Sequence, residues 1–212
     1  AYTWQVSAKL SDGAAVQSHT ACFETGVQMW QGKWIGTDAQ SGRVLEFRKK
    51  FAVKNSLRKA RLYICGLGYF QPKLNGQKLT DSYFIPPVTD YATRPQLPHA
   101  TSGHHITYYT YDVTKLLQAG ENVLGAEVAD GYYSNWEKAH YEPQPDMSFG
   151  QSGLIYELHI EDEDGTHCIF SDEQTCVRST NAVSRLYSGD EIDFDREPEA
   201  FQPAVRIPAP DG

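Results

Sequence analysis

The chain is poor in the residues that mark several common protein classes. Its 212 residues include only 4 cysteines and 2 methionines. Cys22, Cys65, Cys168 and Cys176 form no Cys-x-x-Cys pair, so the short paired spacings that bring four zinc ligands together are missing. A disulfide between Cys168 and Cys176 is conceivable across a short loop. Four scattered cysteines in a chain this long nevertheless read better as free thiols. No apolar run approaches the roughly 20 residues that a membrane-spanning helix needs. No basic-then-apolar stretch opens the chain either, so no signal peptide is visible and a cytoplasmic location is the expectation. Positive charge is in short supply: 19 Lys and Arg face 27 Asp and Glu, a formal charge of −8. With a pI near 5.3 and no basic patch, the chain lacks the clustered cations that nucleic-acid phosphates require. Internal repeats and low-complexity tracts are absent, and helical periodicity is confined to one short stretch.

What is abundant is aromatic and turn-forming. There are 13 Tyr, 9 Phe, 4 Trp, 17 Gly and 11 Pro, and a hydrophobic share of 40% is enough to build a core. Apolar and polar residues alternate repeatedly, the mark of half-buried strands. Trp4, Val6, Ala8 and Leu10 alternate up to Ser11-Asp12-Gly13. Leu45, Phe47 and Phe51 do so in a run ending at Val53, and Ala60, Leu62 and Ile64 before Gly66-Leu67-Gly68. Tyr69–Leu74, Asn75-Gly76 and Gln77–Leu79 read as a hairpin, because Asn-Gly tolerates the positive φ angles of a type I′ turn. Leu154, Tyr156, Leu158 and Ile160 form a strand that turns through Glu161–Gly165 and returns to Phe170. Only Asp112–Leu117 reads as helical, capped by Asp112 or Thr114 and stopped by Gly120. The expected fold class is all-β: an antiparallel two-sheet sandwich of jelly-roll type over about residues 34–185. Its expected core includes Phe47, Phe51, Leu62, Ile64, Val123, Val128, Leu154, Tyr156 and Leu158.

Two boundaries are expected. Residues 1–26 hold too few strand-like pieces to bury both faces of a sheet. Residues 197–212 carry four prolines and end Ile207-Pro208-Ala209-Pro210-Asp211-Gly212, which reads as a linker. Together with the absent initiator methionine, this gives the expectation of an excerpt from a longer protein.

An ordered series of short motifs runs through the middle of the chain. It begins Phe23-Glu24-Thr25-Gly26, Trp30-x-Gly32-Lys33-Trp34-Ile35-Gly36 and Phe47-Arg48-Lys49-Lys50-Phe51. It continues with Ala60-Arg61-Leu62-Tyr63-Ile64-Cys65-Gly66-Leu67-Gly68-Tyr69, Leu74-Asn75-Gly76 and Pro86-Pro87-Val88-Thr89-Asp90-Tyr91. Tyr109-Thr110-Tyr111-Asp112-Val113-Thr114, Gly120-Glu121-Asn122 and Asp130-Gly131-Tyr132-Tyr133 complete it. Over about residues 20–196 this order resembles the N-terminal, non-catalytic region of bacterial α-L-rhamnosidases of glycoside hydrolase family 78. The resemblance implies a galactose-binding-like β-sandwich over residues 27–196 and the last strands of a fibronectin-like domain over 1–26. Residues 197–212 would then lead toward a catalytic (α/α)₆ barrel. Two departures are plain: Gly131-Tyr132-Tyr133 replaces the usual Gly-Trp-Tyr, and the acidic segment Gly189–Arg196 has one extra residue and Ile192 in place of Tyr.

The resemblance implies an accessory role with rhamnose-containing glycans or glycosides and the barrel as partners, and no nucleic acid or membrane. Inverting glycosidases need two carboxyl groups about 6.5–9.5 Å apart, one of them protonated. The acidic clusters Glu161–Asp164 and Asp190–Glu199 sit in a turn and before the linker-like end, so the chain itself is expected to be inactive. Sugar-binding sandwiches stack an aromatic ring on a sugar face while polar side chains bind hydroxyls. Asp130, Tyr132 and Trp136 offer that chemistry in one loop, and Asp90, Tyr91 and Arg94 in another. The purely structural alternative makes Tyr132 or Tyr133 a core residue, Trp136 an edge cover and Asp90–Arg94 an ion pair. Some modules of this family hold calcium, whose oxygen donors here would come from Asn75, Asp90, Asn122, Asp130 and Asn135. Asn75 and Asn122 equally suit plain turn roles. The seven histidines show no ligand spacing and read as loop residues. A structural spacer packed on the barrel, and a stand-alone lectin-like module, are the other readings.

Overall fold

The computed structural model describes residues 2–38, 42–87, 91, 106–134, 149–185 and 188–210, and divides into two units, Ala1–Trp30 and Gln31–Gly212. The first unit consists of β1 (Tyr2–Trp4), β2 (Ser7–Lys9), β3 (Ala15–Gln17) and β4 (Ala21–Phe23). β1 pairs antiparallel with β4, and β2 with β3. Gly13 (φ 84) and the Ala14 N–H donated to Asp12 Oδ1 at 2.9 Å close the β2–β3 turn. Tyr2 stacks on Phe23 with ring centroids 5.2 Å apart, while Trp4, Val6, Leu10 and Val16 are exposed. Two-stranded ribbons this short bury little.

The second unit is an antiparallel sandwich. Its strands are β5 (Ile35–Gly36), β6 (Leu45–Val53), β7 (Lys59–Leu67), β8 (Tyr69–Leu74), β9 (Gln77–Lys78) and β10 (Tyr109–Asp112). They continue with β11 (Gly120–Ala129), β12 (Gly153–Asp162), β13 (Gly165–Phe170), β14 (Cys176–Ser179), β15 (Ala182–Arg185) and β16 (Gly189–Ile192). β17 (Gln202–Pro203) and β18 (Val205–Arg206) complete it. The first sheet runs β10-β7-β12-β5-β18, with β13 also paired to β12; the second runs β17-β14-β6-β11-β8-β9. β15 and β16 form a separate hairpin.

Period-two alternation fills the space between the sheets. Leu62, Ile64, Leu154, Tyr156, Leu158 and Ile160 point inward from the first sheet, and Phe47, Phe70, Leu74, Leu124, Ala126, Val128 and Val177 from the second. Phe51 is partly buried against this cluster. Val123 is also only partly buried, because the inward set on β11 is Asn122, Leu124, Ala126 and Val128. The expectation that Val123 and Val128 share the core therefore fails: five residues apart, they lie on opposite faces.

The chain passes from one sheet to the other at Gly68. Its φ is +125, and a Cβ there would lie 2.1 Å from the Ala129 carbonyl oxygen, so only glycine fits. The Asn75-Gly76 hairpin forms as expected, with φ of 50 and 81 at its two turn residues. No helix forms at Asp112–Leu117. Asp112 ends β10, its carboxylate accepts the Thr114 N–H at 3.1 Å, and one turn follows, with the Leu117 N–H donated to the Val113 carbonyl at 3.3 Å. The next amide, Gln118 N–H, is captured by the Asn122 side chain at 3.0 Å, which stops propagation.

The expected linker at 197–212 is corrected too. β17 pairs with β14 in the second sheet and β18 with β5 in the first, and Ala204 between them is buried. β17 ends the strand order of its sheet, where a proline such as Pro203 is tolerated. All four cysteines are free thiols, Cys22 exposed and Cys65 buried. His159 and His167 lie in strands rather than loops.

Candidate functional site

Among the described residues, a groove of about 620 Å³ opens on the outer face of the second sheet. Its floor is a row of side chains set by strand register. Glu127 on β11 lies directly opposite Glu46 on β6 and Gln71 on β8, and Glu46 lies opposite Arg178 on β14. Like charges at directly opposed positions repel, and each carboxylate here holds its own cation. Arg178 reaches Glu46 Oε2 through Nε and Nη2, both at 2.6 Å, and Lys73 Nζ lies 2.6 Å from Glu127 Oε1. The Phe201 ring lies 4.4 Å from the Arg178 guanidinium carbon, a cation–π contact that fixes this arginine.

One wall is the β15–β16 hairpin, tied to the sheet edge by Val44 N–H donated to Ala182 O and Thr180 N–H donated to Val44 O, both at 2.9 Å. The other wall is Ser82-Tyr83-Phe84. Tyr83 and Phe84 are 75% and 72% exposed. Phe84 also has φ 55, a left-handed conformation that a bulky residue seldom adopts and that clusters at functional sites. Its ring meets Tyr69 edge-on at 5.3 Å. Sequence reading passed over Tyr83 and Phe84; the available signal was two adjacent aromatics between an exposed polar turn and Pro86-Pro87. Glu46 and Arg178 could be found only through the pairing of β6 with β14.

Tyr69 connects the groove to the loops singled out from sequence. A Cβ on Gly131 would lie 2.9 Å from the Tyr69 nitrogen, so the segment after β11 crosses closely over the start of β8. Burial, and secondarily Tyr132, push the Tyr69 hydroxyl pKa up. Asp130 is buried at the end of β11. Tyr132 is half-buried against a second apolar cluster of Leu67, Tyr91, Tyr133 and Ile207. Tyr91 is only 4% exposed, with its ring 5.0 Å from Tyr133 and 5.5 Å from Phe149. Burial, then Cys65, Tyr69 and Tyr133, push its hydroxyl up to about 12. The structure thus brings Tyr91 and Tyr132 to one cluster, with Tyr91 as a core ring. Asp90, Arg94, Asn135 and Trp136 lie outside the described residues.

The remaining calcium donors do not converge. Asn122 lies near the start of β11 and Asp130 follows its end, eight residues apart, or about 26 Å along an extended strand. Both amides at the near end are also engaged. Asn75 Nδ2 donates to Asn122 Oδ1 at 2.9 Å and to Leu116 O at 3.2 Å, and Asn75 Oδ1 accepts the Val123 N–H at 2.9 Å. Asn122 Nδ2 donates to Gln118 O at 2.7 Å and Gly120 O at 3.0 Å. These two residues pin a turn.

With the geometry in place, the comparisons with known proteins decide the family. Residues 55–205 match the α-L-rhamnosidase N-terminal domain family. The chain belongs to that family. It is 28% identical over 214 residues to an α-L-rhamnosidase of Formosa agariphila, covering 92% of this chain and 21% of that protein. A second α-L-rhamnosidase of the same organism is 31% identical over 152 residues, covering 69% of this chain and 15% of its own length. Among solved structures, native α-L-rhamnosidase from Aspergillus terreus superposes with a TM-score of 0.80 at 26% identity, over 98% of this chain and 25% of that one. The chain thus spans 15–21% of the length of these two curated relatives. Among its described residues no helix is long and apolar enough to cross a membrane.

Proposed function

We propose that the chain is an accessory, carbohydrate-binding module of an α-L-rhamnosidase-like glycosidase, with the outer groove receiving a rhamnose-containing glycan or glycoside. The observation that carries this reading is the exposed pair Tyr83 and Phe84 standing over a floor of Glu46, Glu127 and Arg178. Large rings held in water lose hydrophobic free energy, and Phe84 adds backbone strain. A sugar laid on the ring face offsets both, while the carboxylates and guanidinium serve its hydroxyls. Rhamnose is a 6-deoxy sugar whose methyl group suits an aromatic wall. The relatives, named α-L-rhamnosidases, supply the substrate class. Bond cleavage is assigned to a separate catalytic barrel. Glu46 and Glu127 each face a cation, unlike the acid and base of a glycosidase pair.

A shallow groove gives one or two stacking contacts, so the expected affinity with L-rhamnose is on the order of 1 mM to 10 μM, or roughly 4 to 7 kcal/mol. Calorimetric titration tests it, with aryl rhamnoside turnover by the pure chain expected to be nil. Phe84→Ala should weaken binding at least about tenfold, a loss of about 1.4 kcal/mol, without lowering the melting temperature. A second reading, a spacer without a sugar site, is favoured by the burial of Tyr91 in the core. No heat with L-rhamnose or rhamnosyl glycosides at tens of millimolar would select the spacer.

A further inference from the structure

Glutamate is almost never fully buried unless paired, yet Glu157 is 1% exposed. It projects from the outer face of β12, on the sheet opposite the groove. Its Oε1 accepts the backbone N–H groups of Gln31 and of Gly32, the latter at 3.0 Å. Its Oε2 faces His159 Nε2 at 2.7 Å. His159, two residues along the same strand, shares that face. Cys168 on β13 lies directly opposite His159 in the strand register, and its thiol donates to the Ile169 carbonyl at 3.8 Å. The ligand atoms of Glu157, His159 and Cys168 all lie within 4.8 Å of one another, and no other such trio occurs among the described residues.

We propose that Glu157, His159 and Cys168 form a three-ligand site for a zinc(II)-class cation, completed by a water molecule. The donor set of one carboxylate oxygen, one imidazole nitrogen and one sulfur suits a borderline-soft ion; calcium and magnesium take oxygen alone. The surroundings are those of a metal ligand shell. Two backbone N–H groups fix Glu157 through Oε1 and leave Oε2 turned toward the other two donors, as outer-shell bonds orient ligating carboxylates. The Tyr63 ring meets the His159 imidazole edge-on at 5.1 Å and holds its orientation. The His159 side chain is 35% exposed, which gives the ion an entrance. Binding exchanges the His159–Glu157 and Cys168–Ile169 hydrogen bonds for three metal–ligand bonds. The imidazole moves its proton from Nε2 to Nδ1 so that Nε2 can ligate, the Cys168 proton passes to solvent, and no atom changes oxidation state. The ion ties β12 to β13 beside the Gln31–Gly32 segment.

The test uses the full 212-residue chain, stripped with a chelator and titrated with Co²⁺ as a spectroscopic stand-in. A single equivalent should raise a near-ultraviolet sulfur-to-cobalt charge-transfer band together with the intense visible bands of four-coordinate cobalt, both erased by Zn²⁺. Cys168→Ser should abolish the charge-transfer band. His159→Gln should weaken cobalt binding by at least about tenfold, and Cys22→Ser should change nothing. Circular dichroism checks that each variant is folded, and the wild-type titration stands even if one variant is not. Failure of the wild-type chain to show the band at millimolar cobalt overturns the proposal. So does a band that survives in folded Cys168→Ser, or one lost in Cys22→Ser.

Discussion

Replacing Asn122 by alanine probes the turn that joins β8, β11 and the segment after β10. Asn122 is 0% exposed and takes part in four hydrogen bonds, two accepted at Oδ1 and two donated from Nδ2. Each such bond contributes a net ~1 kcal/mol, and an orphaned buried partner costs about 1–3 kcal/mol. Asn75 Nδ2 keeps its bond to Leu116 O, and exposed neighbours such as Gln118 can turn to water, so the full sum is not lost. The expected loss is about 3 kcal/mol, or a fall of roughly 6–12 °C in melting temperature for a unit of this size. Urea unfolding followed by tryptophan fluorescence and circular dichroism gives the number. The loss should be the same with calcium and with chelator, because these amides bond to one another and to backbone. A loss under 1 kcal/mol, or stability that rises with calcium in the wild type but not in Asn122→Ala, would refute the reasoning.

Two further predictions concern titrating groups. The Thr114 hydroxyl and amide, then Arg61, hold the Asp112 carboxyl below its usual pKa. Its contribution is therefore complete above the ordinary carboxylate pKa and disappears as pH falls through the depressed folded value. Asp112→Asn should flatten the acid limb of a stability-versus-pH curve, and an unchanged limb would show that the interaction is not made in solution. Burial pushes the Cys65 thiol up to about 12, whereas Cys22 is exposed. A thiol reagent at neutral pH should label Cys22 quickly and Cys65 only on unfolding; rapid labelling of both would show that the face around Cys65 opens.

The parts of this fold legible in the sequence were those with a local physical cause. Asn75-Gly76 specifies its own turn through two positive φ angles, and the β7 and β12 alternations identify the first sheet without knowledge of any partner. The failures are the residues whose role is decided far away. Val123 looked like core because its inward neighbour Asn122 is polar, and only the bonds that Asn122 makes with Asn75, Gln118 and Gly120 make that position tolerable. The Asp112–Leu117 stretch carries a good cap but loses its helix to the same asparagine. Prolines made Gln202–Arg206 look like a linker, although two short edge strands can accept them. The groove was hidden for the same reason as its floor: Glu46, Glu127 and Arg178 are distant in the chain and become neighbours only through strand register.

The closing strands β17 and β18 are separated by a single residue, Ala204, whose N–H is donated to the Thr175 carbonyl at 2.8 Å. One short crossing thus seals an edge of each sheet. During synthesis these residues leave the ribosome only after β5, β6 and β14 have emerged. Until they arrive, the nascent sandwich holds two unsealed strand edges, at β5 and β14, each a template for pairing with a neighbouring chain. The order of translation therefore sets a vulnerable interval in the life of the domain, and its length is fixed by the distance from Ser179 to Gln202 along the message.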